Sequence, residues 1–421
     1  MYILKNSSKF MKKNLFRAAL SAVVLASSFS FTSCSKDDDT KAPSGNMRTL
    51  MVENIVMPKM FVESGTFKGV GSKDVKLPVI LPGQSVSFKF KAGKGQALMF
   101  ATMYGKSKDW FFASQQPGIK LFDDKGKAMT GDVSSQMKLW DNGTKNDETG
   151  ASEARPVMEV SGVDASKLMN VMLAYEEMTS EFTLTIKNVS GGTKNETPFS
   201  PGVWAVSTFD GKKLLADKPF FTPGQRTNPE ITDIAQMGNI DKLKAKVEAN
   251  TGIITGISPV LVVVYQGDKN PIFELGKKDN GMGLKELSQK GDASKLQENL
   301  KKMKNVKGVY LAGKAPVGPG EKVTTQYKAD DTDKLAFVTM FGFSNDWFYA
   351  NERALSAKMS GNVTGTTALF DSGTGVDQFP GAGNRQALFG GTPQAESKAI
   401  SKVGNEFPVP AVNKVLRITI K

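Results

Sequence analysis

Leu98-Met-Phe-Ala-Thr-Met-Tyr-Gly-Lys-Ser-Lys-Asp-Trp-Phe-Phe-Ala113 returns in the same chain as Leu335-Ala-Phe-Val-Thr-Met-Phe-Gly-Phe-Ser-Asn-Asp-Trp-Phe-Tyr-Ala350. The match extends both ways. Upstream, Gly83-Gln-Ser-Val-Ser-Phe-Lys-Phe-Lys-Ala92 meets Gly320-Glu-Lys-Val-Thr-Thr-Gln-Tyr-Lys-Ala329 without a gap. Downstream, past a short deletion, Gly131-Asp-Val and Leu139-Trp-Asp-Asn-Gly-Thr144 meet Gly361-Asn-Val and Leu369-Phe-Asp-Ser-Gly-Thr374. A repeat this long, in one order, implies two homologous modules.

Each module reads as β. Val86, Phe88 and Phe90 alternate with polar residues, the period of a half-buried strand. Phe182, Leu184 and Ile186 alternate in the same way, as do Leu416, Ile418 and Ile420. Met99-Phe-Ala-Thr-Met-Tyr104 is apolar on both faces, as a central strand should be. Turns rich in Gly, Asp and Asn separate these runs. The expected fold is mainly β: two antiparallel β-sandwiches, the second with short helices before its sandwich core. Helical patterns fall at 229–236, 241–249 and 292–303, the last with Asp292 as N-cap. This helical front is itself duplicated. Pro219-Phe-Phe with Gly224, Gly238 and Leu243 echoes Pro271-Ile-Phe with Gly276, Gly291 and Leu296, and Ser200-Pro201 echoes Ser258-Pro259. The expected partition is a first sandwich over 48–190 and a second over 191–421, with the boundary in Gly191-Gly192-Thr193.

The amino end reads as an export signal. Lys5, Lys9, Lys12, Lys13 and Arg17 precede an apolar stretch from Ala18 to Phe31, too short and too rich in Ser to span a bilayer as a helix. Phe31-Thr32-Ser33 then leads to Cys34, the only cysteine in the chain. Residues 1–33 are the expected signal peptide, Cys34 the expected lipid attachment site, and 34–47 a polar linker. Two or more acyl chains give stable anchoring. Cys34-Ser-Lys-Asp-Asp-Asp39 resembles the surface-export signal of Bacteroidota lipoproteins, which implies the outer membrane, facing outward.

Composition narrows the chemistry. The chain has no histidine, which removes Ser-His-Asp and Cys-His nucleophiles and His-based zinc or iron sites. Walker, GxSxG and HExxH elements are absent as well. Of 421 residues, 55 are Lys or Arg and 42 Asp or Glu, but the lysines are scattered among acids, which argues against a nucleic-acid interface. A hydrolase working through two carboxylates is the one enzyme class left.

Ser107-Lys-Asp-Trp-Phe111 followed by Leu139-Trp-Asp-Asn-Gly-Thr144 resembles the spondin amino-terminal domain, and Ser344-Asn-Asp-Trp-Phe348 with Leu369-Phe-Asp-Ser-Gly-Thr374 repeats it. Ser200-Pro-Gly-Val-Trp-Ala-Val206 and the Asp124–Lys127 turn are similar to features of bacterial members. The resemblance covers most of 48–421. It implies a C2-like sandwich, adhesion-type binding outside the cell, and calcium at the loop ends. The implied ligands are Asp109 and Asp141 in the first module, and Asp346 and Asp371 in the second. Animal members add an upstream glutamate, but 85–89 and 322–326 contain no acid; either backbone carbonyls and water fill the gap, or later residues such as Glu148 and Asp377 do, or the site is weak. Two readings of these aspartates compete: metal ligands, for which calcium tolerates irregular oxygen geometry, or caps of the turns beside Gly-Thr. Trp110, Phe112, Trp347 and Tyr349 are read either as sandwich core or as an aromatic platform for a ligand. The expected role is a non-enzymatic surface protein meeting a glycan or protein partner; polysaccharide capture for an uptake system is the alternative.

Overall fold

In both copies the repeated stretch forms the middle of a sheet. The structure, a computed structural model, describes residues 45–421; the expected signal peptide, the expected lipid attachment site Cys34 and most of the expected linker lie outside them. In the first copy Ala97–Tyr104 pairs with Phe199–Ser207 on one side and Trp110–Ser114 on the other. Phe61–Phe67 lies beyond Phe199–Ser207, while Met137–Asp141 and Met158–Glu159 continue the opposite side. A second sheet, Ser85–Lys91, Glu181–Asn188, Met169–Glu176 and Gly131–Asp132 in that order, packs on its face. Phe90, Phe182, Leu184 and Ile186 from one sheet meet Phe100, Phe112 and Leu139 from the other, all buried. All pairings between these strands are antiparallel, as the alternating residues require.

The second copy repeats the plan. Val306–Ala312, Val260–Tyr265, Lys334–Met340, Trp347–Asn351, Thr367–Asp371 and Ser401–Lys402 form one sheet. Lys322–Ala329, Asn46–Asn54, Leu416–Ile420 and Gly361–Asn362 form the sheet facing it. The protein is therefore mainly β and antiparallel, with a core inside each pair of sheets.

Helices explain why the central strands are apolar on both faces. Pro229–Met237 and Asp241–Ala249 place Ile231, Ile234, Leu243 and Val247 against Met99, Ala101 and Phe111, on the side away from the sandwich core. Leu284–Lys290 and Ser294–Lys301 do the same with Leu287, Leu296 and Leu300 against Ala336, Val338 and Phe348. Asn228 caps the first helix by accepting from Ile231 N, and Pro229 fills the N1 position that needs no N–H. Asp292 accepts from Ser294 N at 2.9 Å but stands one residue before the N-cap, which is Ala293 and not the expected Asp292.

The expected partition at residue 190 does not follow the strand pairing. Phe199–Ser207 and the first helix pair belong to the first sandwich, so each copy of the duplicated front covers its own sheet. Conversely, Asn46–Asn54 lies inside the second sandwich, between Lys322–Ala329 and Leu416–Ile420. It stands where Glu181–Asn188 stands in the first. Thr49-Leu-Met-Val-Glu-Asn54 echoes Thr183-Leu-Thr-Ile-Lys-Asn188, and the two asparagines do one job. Buried Asn188 donates to the Ile80 and Thr197 carbonyls, and buried Asn54 to those of Thr255 and Val317. The two sandwiches are thus circularly permuted versions of each other, closed by Thr49 N to Lys421 O at 2.8 Å and its reciprocal bond at 2.9 Å. All of 45–421 belongs to one compact unit rather than to two units divided at 190.

Candidate functional site

The two halves of the repeated motif meet at one end of each sandwich. Trp110 pairs across strands with Asp141, and Trp347 with Asp371. A tight turn delivers the aspartate before each tryptophan. Ser107 Oγ donates to Tyr104 O and accepts from Trp110 N; Ser344 does the same between Phe341 O and Trp347 N. The Asp-X-Gly-Thr turn closes over it. Asp371 Oδ1 accepts from Gly373 N at 2.7 Å, and Asp141 Oδ1 from Gly143 N at 2.7 Å. Gly373 has φ +66° and a Cβ there would lie 2.6 Å from the Lys398 carbonyl oxygen, so only glycine fits.

The turn-capping reading accounts for one oxygen of each leading aspartate. Asp346 Oδ2 accepts from Thr374 N at 2.7 Å, Gly375 N at 2.9 Å and Ser372 Oγ at 2.7 Å. Asp109 Oδ2 accepts from Thr144 N at 2.7 Å and Lys145 N at 2.8 Å. The other oxygen is unexplained by it. Asp346 and Asp109 are 0% exposed, yet Oδ1 of each has no hydrogen-bond partner. A buried carboxylate oxygen left bare costs free energy unless a cation or water meets it.

In the second sandwich three carboxylates converge. Asp346, Asp371 and Asp377 each bring an oxygen to within 4.8 Å of the others, and Asp377 Oδ1 is also buried without a partner. Burial pushes the Asp371 carboxyl up to about 6, with the Asp346 charge adding to it. Burial, then the charges of Asp371 and Asp346, pushes Asp377 up to about 8; the Trp347 indole N–H opposes this weakly, without hydrogen-bond geometry. Burial raises Asp346 as well, against its hydrogen bonds from Ser372, Thr374 and Gly375. Glu396 adds a fourth carboxylate whose charge raises both Asp371 and Asp377. An all-oxygen, strongly negative cluster at a loop end fits a hard divalent cation.

The first sandwich places a cation on its second aspartate, while Asp109 Oδ1 stays bare. Arg155 Nη1 donates to Asp141 Oδ2 at 2.8 Å and its Nε to Glu153. These two partners, Glu153 first, hold the guanidinium well above its ordinary range. Arg155 and Lys398 are equivalent, since Arg155 N bonds Gly143 O and Lys398 N bonds Gly373 O, both at 2.9 Å. Lys398 instead pairs with Glu396 at 2.7 Å. Arginine's planar fork reaches two acids at once; the lysine ammonium sits on one. Among the described residues Asp371 has no salt bridge, and the Lys398 ammonium acts on it only through its charge.

Several expected site residues fall elsewhere. Glu148 is exposed and its backbone N donates to Asn146 Oδ1. Asp147, not Glu148, is the counterpart of Asp377: burial, then Asp141 and Asp109, raises its carboxyl. The signal was present, because both copies read Asp-X-Gly-Thr-X-X-Asp, at 141–147 and 371–377. Phe112 and Tyr349 are 0% exposed and Trp347 1%, so the core reading holds for them and they form no platform. Trp110 is half-buried and packs against the same core.

These shifts set a pH dependence. A carboxyl whose folded pKa is raised keeps its proton more tightly in the folded state. Its contribution is fully present below the unfolded value of 3.8 and is lost as pH rises through about 8 for Asp377. In chelator, Asp377→Asn should therefore gain stability over the parent chain at pH 8 and little at pH 4. Thermal melts of both proteins at the two pH values check this; an equal difference at both contradicts it.

Fold and site together define a mainly β, antiparallel sandwich protein with an acidic, cation-suited loop end. No protein-family model matches the chain, and no curated protein matches it.

Proposed function

We propose that this chain is a non-catalytic, calcium-dependent binding protein, exported and tethered through Cys34, whose sandwich loop ends meet an extracellular glycan or protein. The observation that carries the reading is the Asp346, Asp371 and Asp377 cluster, where bare buried oxygens converge and the neighbouring Lys398 is engaged by Glu396. Calcium takes irregular sets of oxygen ligands at loop ends, and the three side chains can supply only part of such a shell, leaving positions for water or a partner's oxygen. The resemblance to spondin modules supports adhesion-type binding. The export signal and Cys34 support a location at the outer membrane surface, and among the described residues no helix is long and apolar enough to cross a membrane.

A glycosidase reading is weaker. It requires two carboxylates flanking a substrate cleft. Here a third and a fourth carboxylate crowd the same point, and none of Asp346, Asp371 and Asp377 lines the cavity bounded by Ile272, Phe273 and Ile400 or the one bounded by Pro316, Val317 and Val323.

Calcium titration of the metal-free protein tests the proposal. One ion should bind per chain, and Asp371→Asn should remove it. No binding at millimolar calcium contradicts the reading. The partner class is read by probing glycan and matrix-protein arrays in calcium and in chelator, with signal expected only in calcium.

A further inference from the structure

The acidic cluster lies at the root of the segment that joins the two sandwiches. In the first sandwich the chain leaves the Asp-X-Gly-Thr turn and returns at once, closed by a bridge between Lys145 and Ser152. In the second the equivalent bridge joins Gly375 to Ala395, and the longer excursion between them reaches the first sandwich. Gln378 Nε2 donates to Met178 O at 2.9 Å, Asn384 N to Ser180 Oγ at 3.1 Å, and Arg385 Nη2 to Glu177 Oε1 at 3.1 Å. Gln96 Nε2, from the first sandwich, donates to Gly381 O at 3.1 Å. Ala382 is buried in the first core, and Phe379 packs against both cores.

Two residues connect this junction to the cluster. Asn345 precedes Asp346, and Gln378 follows Asp377. The two are bonded to each other, Gln378 N donating to Asn345 Oδ1 at 3.0 Å, and both are buried. One end of Gln378 is thus tied to the acidic cluster and the other to the turn around Met178.

We infer that a divalent cation at Asp346, Asp371 and Asp377 latches the two sandwiches together through Asn345, Gln378 and the 376–391 segment. This rests on the calcium reading above. Without the cation nothing draws Asp371 and Asp377 together, the root of the segment can open, and Gln378 carries that displacement to the Met178 turn. With it, Asp377 is drawn to Asp346, and Gln378 is held on both of its partners. Calcium then controls how firmly the two sandwiches are held in one arrangement. Asn345 and Gln378 are positioning residues; the aspartates hold the ion.

Backbone hydrogen exchange on the full chain, in calcium and in chelator, tests the latch. At ten times the calcium dissociation constant, exchange in 378–391 and in 176–180 should slow by about tenfold if ion binding and junction closure are linked. Gln378→Ala keeps the backbone bond to Asn345, so it should bind calcium as before and lose the slowing at 176–180 and at 384–385, which its side chain also bonds. Calcium binding with slowing confined to 344–347 and 371–377 overturns the latch and leaves the calcium reading standing. So does Gln378→Ala with unchanged slowing at 176–180. Absence of calcium binding overturns both.

Discussion

A chain that begins at Ile55 is expected to lose its second sandwich while keeping the first. Asn46–Asn54 pairs along eight positions with Lys322–Ala329 and along five with Leu416–Ile420, so its removal strips both neighbours of their ladder and exposes two edges. Leu50 and Val52, 0% and 1% exposed, leave the core, at about 2 kcal/mol each in burial alone. Asn54 takes with it the hydrogen bonds to the Thr255 and Val317 carbonyls. A buried carbonyl left bare costs about 1–3 kcal/mol. Together these losses rival the whole stability of an ordinary domain, about 5–15 kcal/mol. Limited proteolysis should cut rapidly within 256–421 and spare 61–249. The single substitution Asn54→Ala should lower stability by about 2–3 kcal/mol without unfolding the chain. A truncated chain as resistant as the parent throughout contradicts the permuted arrangement.

The second large effect concerns Arg155. Replacing it by glutamine removes the guanidinium that bonds Asp141 and whose charge acts on Asp147, the positions equivalent to Asp371 and Asp377, although Asp147 is the more exposed of its pair. Arg155→Gln should bind two calcium ions per chain where the parent binds one. In chelator the variant should be less stable by only about 1 kcal/mol, because Arg155 is 44% exposed and an ion pair open to solvent contributes little. In calcium at a hundredfold excess over the dissociation constant the new site returns about 2.7 kcal/mol to the folded state, raising the melting temperature above that of the parent. Calorimetric titration counts the ions. A variant that still binds one ion shows that the first sandwich lacks a site even when its arginine is gone.

Much of this architecture is legible in the sequence. The repeat, the alternating Val86/Phe88/Phe90 and Phe182/Leu184/Ile186, and the pairing of Asp-Trp-Phe with Asp-X-Gly-Thr all appear in the fold, since each is a local pattern whose period or spacing fixes its own conformation. What the sequence hides is partnership over distance. Asn46–Asn54 looks like any strand, and its alternation says which face is buried but not that Gln326 lies opposite Thr49. The echo of Thr49-Leu-Met-Val-Glu-Asn54 in Thr183-Leu-Thr-Ile-Lys-Asn188 was the available clue, and it is short. The front segments were misassigned for a related reason: duplication shows that two copies exist, whereas only packing shows which sheet each covers.

At the site, residue types pointed to oxygen ligands, but charge balance decides between the copies. Arg155 and Lys398 are both basic residues a few positions beyond a turn, and a sequence cannot show that one reaches the aspartate and the other a glutamate. The first sandwich, with its matching aspartates, is therefore the copy in which an arginine already neutralises the second aspartate. The aromatic residues beside the aspartates follow strand alternation into the core, where Phe112 and Tyr349 fill space between sheets.

Diffraction from crystals grown in calcium, recorded at a wavelength where calcium scatters anomalously, tests the central claim most directly. The account predicts a single anomalous peak per chain, among Asp346, Asp371 and Asp377, with no peak at Asp109 and Asp141. A peak beside Arg155, or none at the second cluster in millimolar calcium, would contradict it.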